Sequence, residues 1–243
     1  MKKIFLSLIA GWFFLSLLFL TPVQAENNSQ AQDKGPLGKI TFIHYRKNFA
    51  QPNAAISKNG ADSCYGYIAT GAKWKTTEDY IVNPNGSSLD NAFVQSAVDK
   101  GVAEWEKYGG SSIFGGSYID SSASAGFDNR NVVNFGPYSD NNAIAVTTVW
   151  GYFSGAPQNR EIVEWDMLFN NHYTWGDATS NGASVMDLQN IATHELGHSA
   201  GMGDLYSASC STQTMFGYSG YGEIIKRDLG NGDIKGIKRL YLR

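Results

Sequence analysis

Apolar residues crowd the start of the chain, thin out before Cys64, and then recur with two distinct periods up to the C-terminus. Val94, Val98, Val102 and Trp105 return every three or four residues, which is one face of a helix. Ser87 to Asp90 reads as a capping box that opens this helix, and Gly109-Gly110 closes it. Short runs rich in Val, Ile, Thr and aromatic residues read as strands: 80–83, 112–120, 131–135, 143–153 and 162–169. Clusters such as Pro84-Asn85-Gly86 separate them. A second capping box, Ser184 to Asp187, launches another helix, and Ile234, Ile237 and Leu240 stay in register along a last one from Gly232 to Leu242. Upstream, Lys39 to Tyr45 alternates weakly and reads as a short strand, while 46–63 reads as loop. This order predicts an α/β (α+β) domain with a mixed sheet and few helices.

The opening run changes the picture of where the domain begins. Met1-Lys2-Lys3, an apolar stretch from Ile4 to Leu20, and Val23-Gln24-Ala25 have the layout of a secretory signal cut after Ala25. The competing reading is an uncleaved anchor that would keep the domain at the cell envelope. No cysteine follows the run closely, which argues against a lipoprotein. Residues 26–63 then form a polar lead-in or short propeptide-like segment, and 64–243 the main domain. Once the leader is gone, 17 basic residues face 22 acidic ones, a net charge of −5. That balance gives no basic face for nucleic acid. Without the leader no stable membrane association is expected, and the domain is expected to act as a monomer. The two cysteines, Cys64 and Cys210, are expected to pair in an exported chain. Such a bridge closes a very long loop, worth about 4–5 kcal/mol on the chain-entropy model. The alternative is two separate buried thiols.

The chemistry is concentrated in His194-Glu195-Leu196-Gly197-His198 and the residues just after it. Histidines four apart lie on one helix face, one turn apart, and both can donate a ring nitrogen to the same zinc ion. Glu195 flanks that face, close enough to reach a zinc-activated water without being a ligand. Leu188, Ala192, Leu196 and Ala200 occupy the opposite, apolar face. Gly201 permits the left-handed turn that ends the helix and sends the chain back under the site. Asp204 then arrives to supply a third ligand, which leaves a fourth position open.

The string His194-Glu195-x-x-His198-x-x-Gly201-x-x-Asp204 resembles the signature of the metzincin zinc proteases, with Asp where most members carry a third His. The secreted snapalysin-type proteases share that variant. Thr214-Met215-Phe216-Gly217-Tyr218 resembles the Met-turn, in which Met215 would support the site from below. The run from Asp233 to Tyr241 resembles the last helix of the matrixins, and Ile162 to Asn170, with Asp166 in it, resembles the strand before their active-site loop. The resemblance implies a metzincin-like catalytic domain with a twisted five-stranded mixed sheet and three main helices. It also implies a secreted endopeptidase acting on protein or peptide substrates, with one catalytic zinc on His194, His198 and Asp204 and with Glu195 as general base and then acid. An anionic Asp204 would leave the site less positive, and its water less acidic, than three neutral histidines would. The substrate would lie extended along the edge strand Ala143 to Phe153. Tyr218 and Phe216 are candidates for oxyanion contact or for lining the substrate pocket.

Other residues support weaker readings. The cysteine-switch pattern of matrixin propeptides is absent, and Cys64 does not replace it. His172 reads as a surface residue. His44 lies upstream of the domain, where a role in masking zinc would require it to reach the site. Asp120, Asp128 and Asp140 read as solvated turns, with calcium binding the alternative because matrixin loops bind it. Two rival functions remain: a secreted zinc amidase acting on cell-wall peptides, and a non-catalytic, metal-stabilised surface module. The second has no use for Glu195.

Overall fold

The computed structural model describes residues 34–49, 64–110 and 112–242, all within one compact unit. The leader expected over residues 1–25 lies outside the described residues, as do 26–33 and 50–63 of the lead-in. Among the described residues no helix is long and apolar enough to cross a membrane.

The strands are β1 (Leu37–Arg46), β2 (Tyr80–Val82), β3 (Ser117–Ile119), β4 (Asn131–Gly136), β5 (Ala143–Tyr152), β6 (Glu161–Asn170), β7 (Trp175–Gly176), β8 (Met186–Asp187) and β9 (Tyr218–Ser219). The helices are α1 (Asn91–Gly109), α2 (Ala178–Asn181), α3 (Leu188–Ser199) and α4 (Asn231–Tyr241). The five strands expected from 80 to 169 are present as β2 to β6 and the one expected at Lys39 to Tyr45 as β1, but the sheet among the described residues has seven rather than five strands, in the order β3-β2-β4-β6-β5-β1-β9. β2, β3, β4 and β6 run parallel, while β5 is antiparallel to β6. β1 and β9 follow β5 in the sheet. β1 pairs antiparallel with β5 from Leu37↔Tyr152 to Tyr45↔Ala143 and parallel with β9 at its end. The free edge expected along 143–153 is therefore already taken, by the lead-in itself.

Alternation along the strands sorts side chains between two faces. Val82, Val133, Trp165, Met167 and Phe169 enter the main core, where they meet Val94, Val98, Val102 and Trp105 of α1 and Leu188, Ala192 and Leu196 of α3. Ile81 and Val132 point the other way and meet Ala123. On that face Asp166 accepts from the backbone N–H groups of Gly126 (2.7 Å) and Val132 (3.0 Å), and Glu164 accepts from those of Asp128 and Asn129. Burial pushes the Asp166 carboxyl up to about 7. These two acids tie a loop to the sheet.

Both expected capping boxes are displaced in the same way. The residue expected at the third helical position is itself the cap: Asp90 accepts from Phe93 N–H (3.0 Å) and Asp187 from Asn190 N–H (2.9 Å). Aspartate is as good an N-cap as serine, and its carboxylate also suits the positive end of the helix. Among the described residues nothing supports calcium binding at the three loop aspartates. Asp120 accepts from Ser122, Asp128 from Arg130 and Asp140 from Asn142, each a local turn contact, and none belongs to a converging group of ligand-type side chains. Cys64 and Cys210 form the expected disulfide, with Cα atoms 5.3 Å apart and 146 positions between them in sequence. It fastens the first residue after the 50–63 segment to the loop between Asp204 and Met215.

Candidate active site

Helix α3 carries the site, and it is buried on nearly every side. Its packing against α1 relies on a missing side chain. A Cβ on Gly197 would sit 2.2 Å from Met215 Sδ and 2.6 Å from Trp105 Cζ2, so only glycine lets the Met-turn and α1 approach together. Trp105 Nε1 also donates to Thr193 O across that contact, at 2.7 Å. The far end of the helix is held by distant side chains: Trp74 Nε1 donates to Ser199 O and the Tyr241 hydroxyl to Ala200 O. Gly201 then turns the chain with φ +101, in a place where a Cβ would meet Ala72 O at 2.6 Å. The turn returns Asp204 to the two histidines of the helix.

His194, His198 and Asp204 converge. Asp204 Oδ1 lies 3.2 Å from His194 Nε2 and 3.4 Å from His198 Nε2. All three atoms are buried, and none makes a hydrogen bond. Polar atoms this deep are almost always partnered, so three orphans meeting at one point have the character of a ligand set. The other ring nitrogens are committed. His194 Nδ1 lies 2.7 Å from Thr214 O, and His198 Nδ1 lies 3.0 Å from Met202 O. A carbonyl can only accept, so each Nδ1 carries the proton and each Nε2 presents its lone pair to the centre. Burial pushes the His194 imidazole down to about 4, which keeps it neutral.

Two supports were not foreseen from the sequence. The Tyr206 hydroxyl donates to Asp204 Oδ2 at 3.0 Å and so fixes the carboxylate that faces the imidazoles. Asp233, at the start of α4, accepts from Thr214 N–H (2.6 Å), Met215 N–H (3.3 Å) and Gly230 N–H (3.0 Å). It thereby sets the Thr214 carbonyl that orients His194. Burial raises the Asp233 carboxyl to about 6. A polar residue beside an apolar run carries no pattern that would mark either role; Asp233 stood out only within the matrixin-like ending. Met215 lies fully buried, against Gly197 of the helix.

Glu195 is fully buried beside the cluster. Thr147 of β5 donates to its Oε2 at 2.5 Å, and His44 Nδ1 meets its Oε1 at 3.1 Å. The other nitrogen of His44 lies 3.2 Å from Lys226 Nζ, which also donates to Tyr218 O. One neutral tautomer satisfies the whole path: Lys226 donates to His44 Nε2, and His44 Nδ1–H donates to Glu195. Burial holds His44 well below the usual imidazole range, consistent with that form. His44, His194 and Glu195 also bring ligand-type atoms close together, but His44 and Glu195 already spend theirs on hydrogen bonds. The His44 ring lies against His194 at 3.8 Å, and Phe42 stacks flat on His198 at 3.9 Å.

The remaining candidates fall at the rim. Tyr218 and Phe216 do not reach the cluster by any hydrogen bond. Their rings pack together 5.7 Å apart and line a surface pocket of about 460 Å³ with Lys47, Asn48 and Phe49. The hydroxyl that approaches the ligand set belongs to Tyr206 instead. His172 is exposed.

The model of the matrixin family matches residues 73–242. No curated protein matches the chain. The matched span takes in β2 to β6, the long helices α1, α3 and α4, and the whole His194–His198–Asp204 cluster, and it begins after β1. On that match the chain belongs to the matrixin family of metzincin peptidases, whose activity depends on zinc.

Proposed function

We propose that the chain is a secreted endopeptidase that holds one zinc ion on His194 Nε2, His198 Nε2 and Asp204 Oδ1, with Glu195 as its general base. The observation that carries this reading is the set of three buried atoms facing one another without a hydrogen-bond partner. Two neutral imidazoles and one carboxylate suit zinc, and three protein ligands leave a position for chemistry. When bound, zinc supplies an activated water and polarises the scissile carbonyl.

The chain's own residues do the rest. Burial raises the Glu195 carboxyl to about 7, a value suited to taking and returning a proton near neutrality. Glu195 takes a proton from the attacking water and delivers it to the departing amine nitrogen. Thr147 steadies the carboxylate during both transfers. Thr214 and Met202 carbonyls keep both imidazoles in the one tautomer that turns each Nε2 toward the proposed metal position. Secretion rests on the leader-like start and on the disulfide, which suits an oxidising compartment.

The test is cleavage of unfolded casein by the zinc-loaded chain, as expressed and after its N-terminus is trimmed. A chelator should abolish cleavage, added zinc should restore it, and Glu195→Ala should remove it. Cleavage that survives the chelator or the substitution would overturn the reading. Release of cell-wall peptides with casein left intact would favour an amidase.

A further inference from the structure

We propose that β1 is a built-in inhibitor, lying where a substrate strand must lie, with Phe42 and His44 as the side chains that close the site. This rests on the peptidase reading above.

An extended peptide can add itself to the free edge of a sheet through main-chain hydrogen bonds. β5 would offer such an edge beside the cluster, since its Thr147 touches Glu195. β1 fills that edge from end to end, and on its other side it is held by β9 just beyond the Met-turn. The strand thus lies between the two backbones nearest the site. Residues 42 and 44 point to the same face, and each covers one proposed ligand: Phe42 over His198 and His44 over His194. His44 also occupies the one Glu195 oxygen that Thr147 leaves available. A peptide bond presented to Glu195 and the cluster would have to take the space of residues 42–44.

β1 is also built to leave. The neighbouring strands β5 and β6 are mostly buried, whereas along β1 only His44 is, and its other residues are exposed or half-buried. Its ends are pinned by Lys34 to Glu161 and by Lys47 to Glu223, pairs whose lysines are about half exposed and which therefore add only modestly to its hold. The disulfide begins at Cys64, after β1, so the body keeps its staple when the strand goes. The family match, too, starts only at residue 73. The cysteine thiol that matrixin propeptides use has no counterpart here; a histidine bonded to the general base takes its place.

A ligand that needs an empty cleft binds more weakly in proportion to the fraction of molecules in which that cleft is empty. The experiment uses three zinc-loaded full chains: wild type, Phe42→Ala/His44→Ala, and Ile43→Pro. The last breaks the β1 ladder but keeps both closing side chains, and it decides the matter if the double variant fails to fold. A short fluorescent peptide ending in a hydroxamate, which grips zinc directly, reports by anisotropy whether the cleft is open. Casein turnover is followed in parallel. The expected result is probe binding at least about tenfold tighter in the variants, with turnover rising in step. Equal binding to all three chains would overturn the inhibitor. Tighter binding in the variants with no turnover in any chain would leave β1 as a plug and overturn the peptidase reading instead.

Discussion

The floor and the cover of the site are built in opposite ways. The floor runs from α3 through Gly201 and Asp204 to Met215 and is contiguous in sequence, with its proposed ligands one helical turn and one tight turn apart. The cover is β1, whose His44 reaches Glu195 across 151 positions. Both touch the same carboxylate. A site made from neighbouring residues is fixed by local geometry and survives as a unit. A cover made by long-range pairing on a sheet edge can be withdrawn without dismantling what lies below. The difference separates what the site is from when it is open.

The floor should break first and most completely. Asp204→Ala or His198→Ala removes one of three ligands, and dialysed protein should fall from about one zinc per chain to almost none by elemental analysis. Glu195→Gln should keep the metal but lower kcat by about 10²- to 10⁴-fold, the usual range for a general acid–base group. It separates holding the metal from using it. The bridge that joins the two regions comes next. Cys64→Ser with Cys210→Ser should cost up to about 4–5 kcal/mol in urea unfolding, because the closed loop is very long. Gly197→Ala should have the smallest effect. It overpacks the contact between α3, Met215 and Trp105 and should cost about 1–3 kcal/mol, with zinc affinity falling alongside. A Gly197→Ala protein as stable as wild type would show that the floor is looser than its geometry implies.

How much of this could be read from the chain follows the same division. Helix periodicity and the four-residue step between His194 and His198 are local signals, and they place the face that carries both histidines, the apolar back and the turn at Gly201. The helix starts came out three residues early, at Ser87 and Ser184, because a serine followed by an aspartate looks like a capping box whether or not the aspartate is the cap. The strand at Lys39 to Tyr45 was visible as weak alternation, but its place was not. Its partner β5 lies about a hundred residues further on and its partner β9 further still, and nothing in its own composition names them. Thr147, Tyr206 and Asp233 were silent for a related reason: each is a single polar residue whose partner is set by tertiary packing rather than by spacing. Asp204 was legible because a glycine turn precedes it, whereas Tyr206, two residues further on, repeats no pattern.

The most direct test of the central claim is a zinc-edge anomalous map from crystals of the zinc-loaded chain. The account predicts one strong peak about 2.0–2.2 Å from His194 Nε2, His198 Nε2 and an oxygen of Asp204, the distances zinc takes to such ligands. A peak bonded to His44 in place of Asp204, or no peak between the two imidazoles, would contradict it.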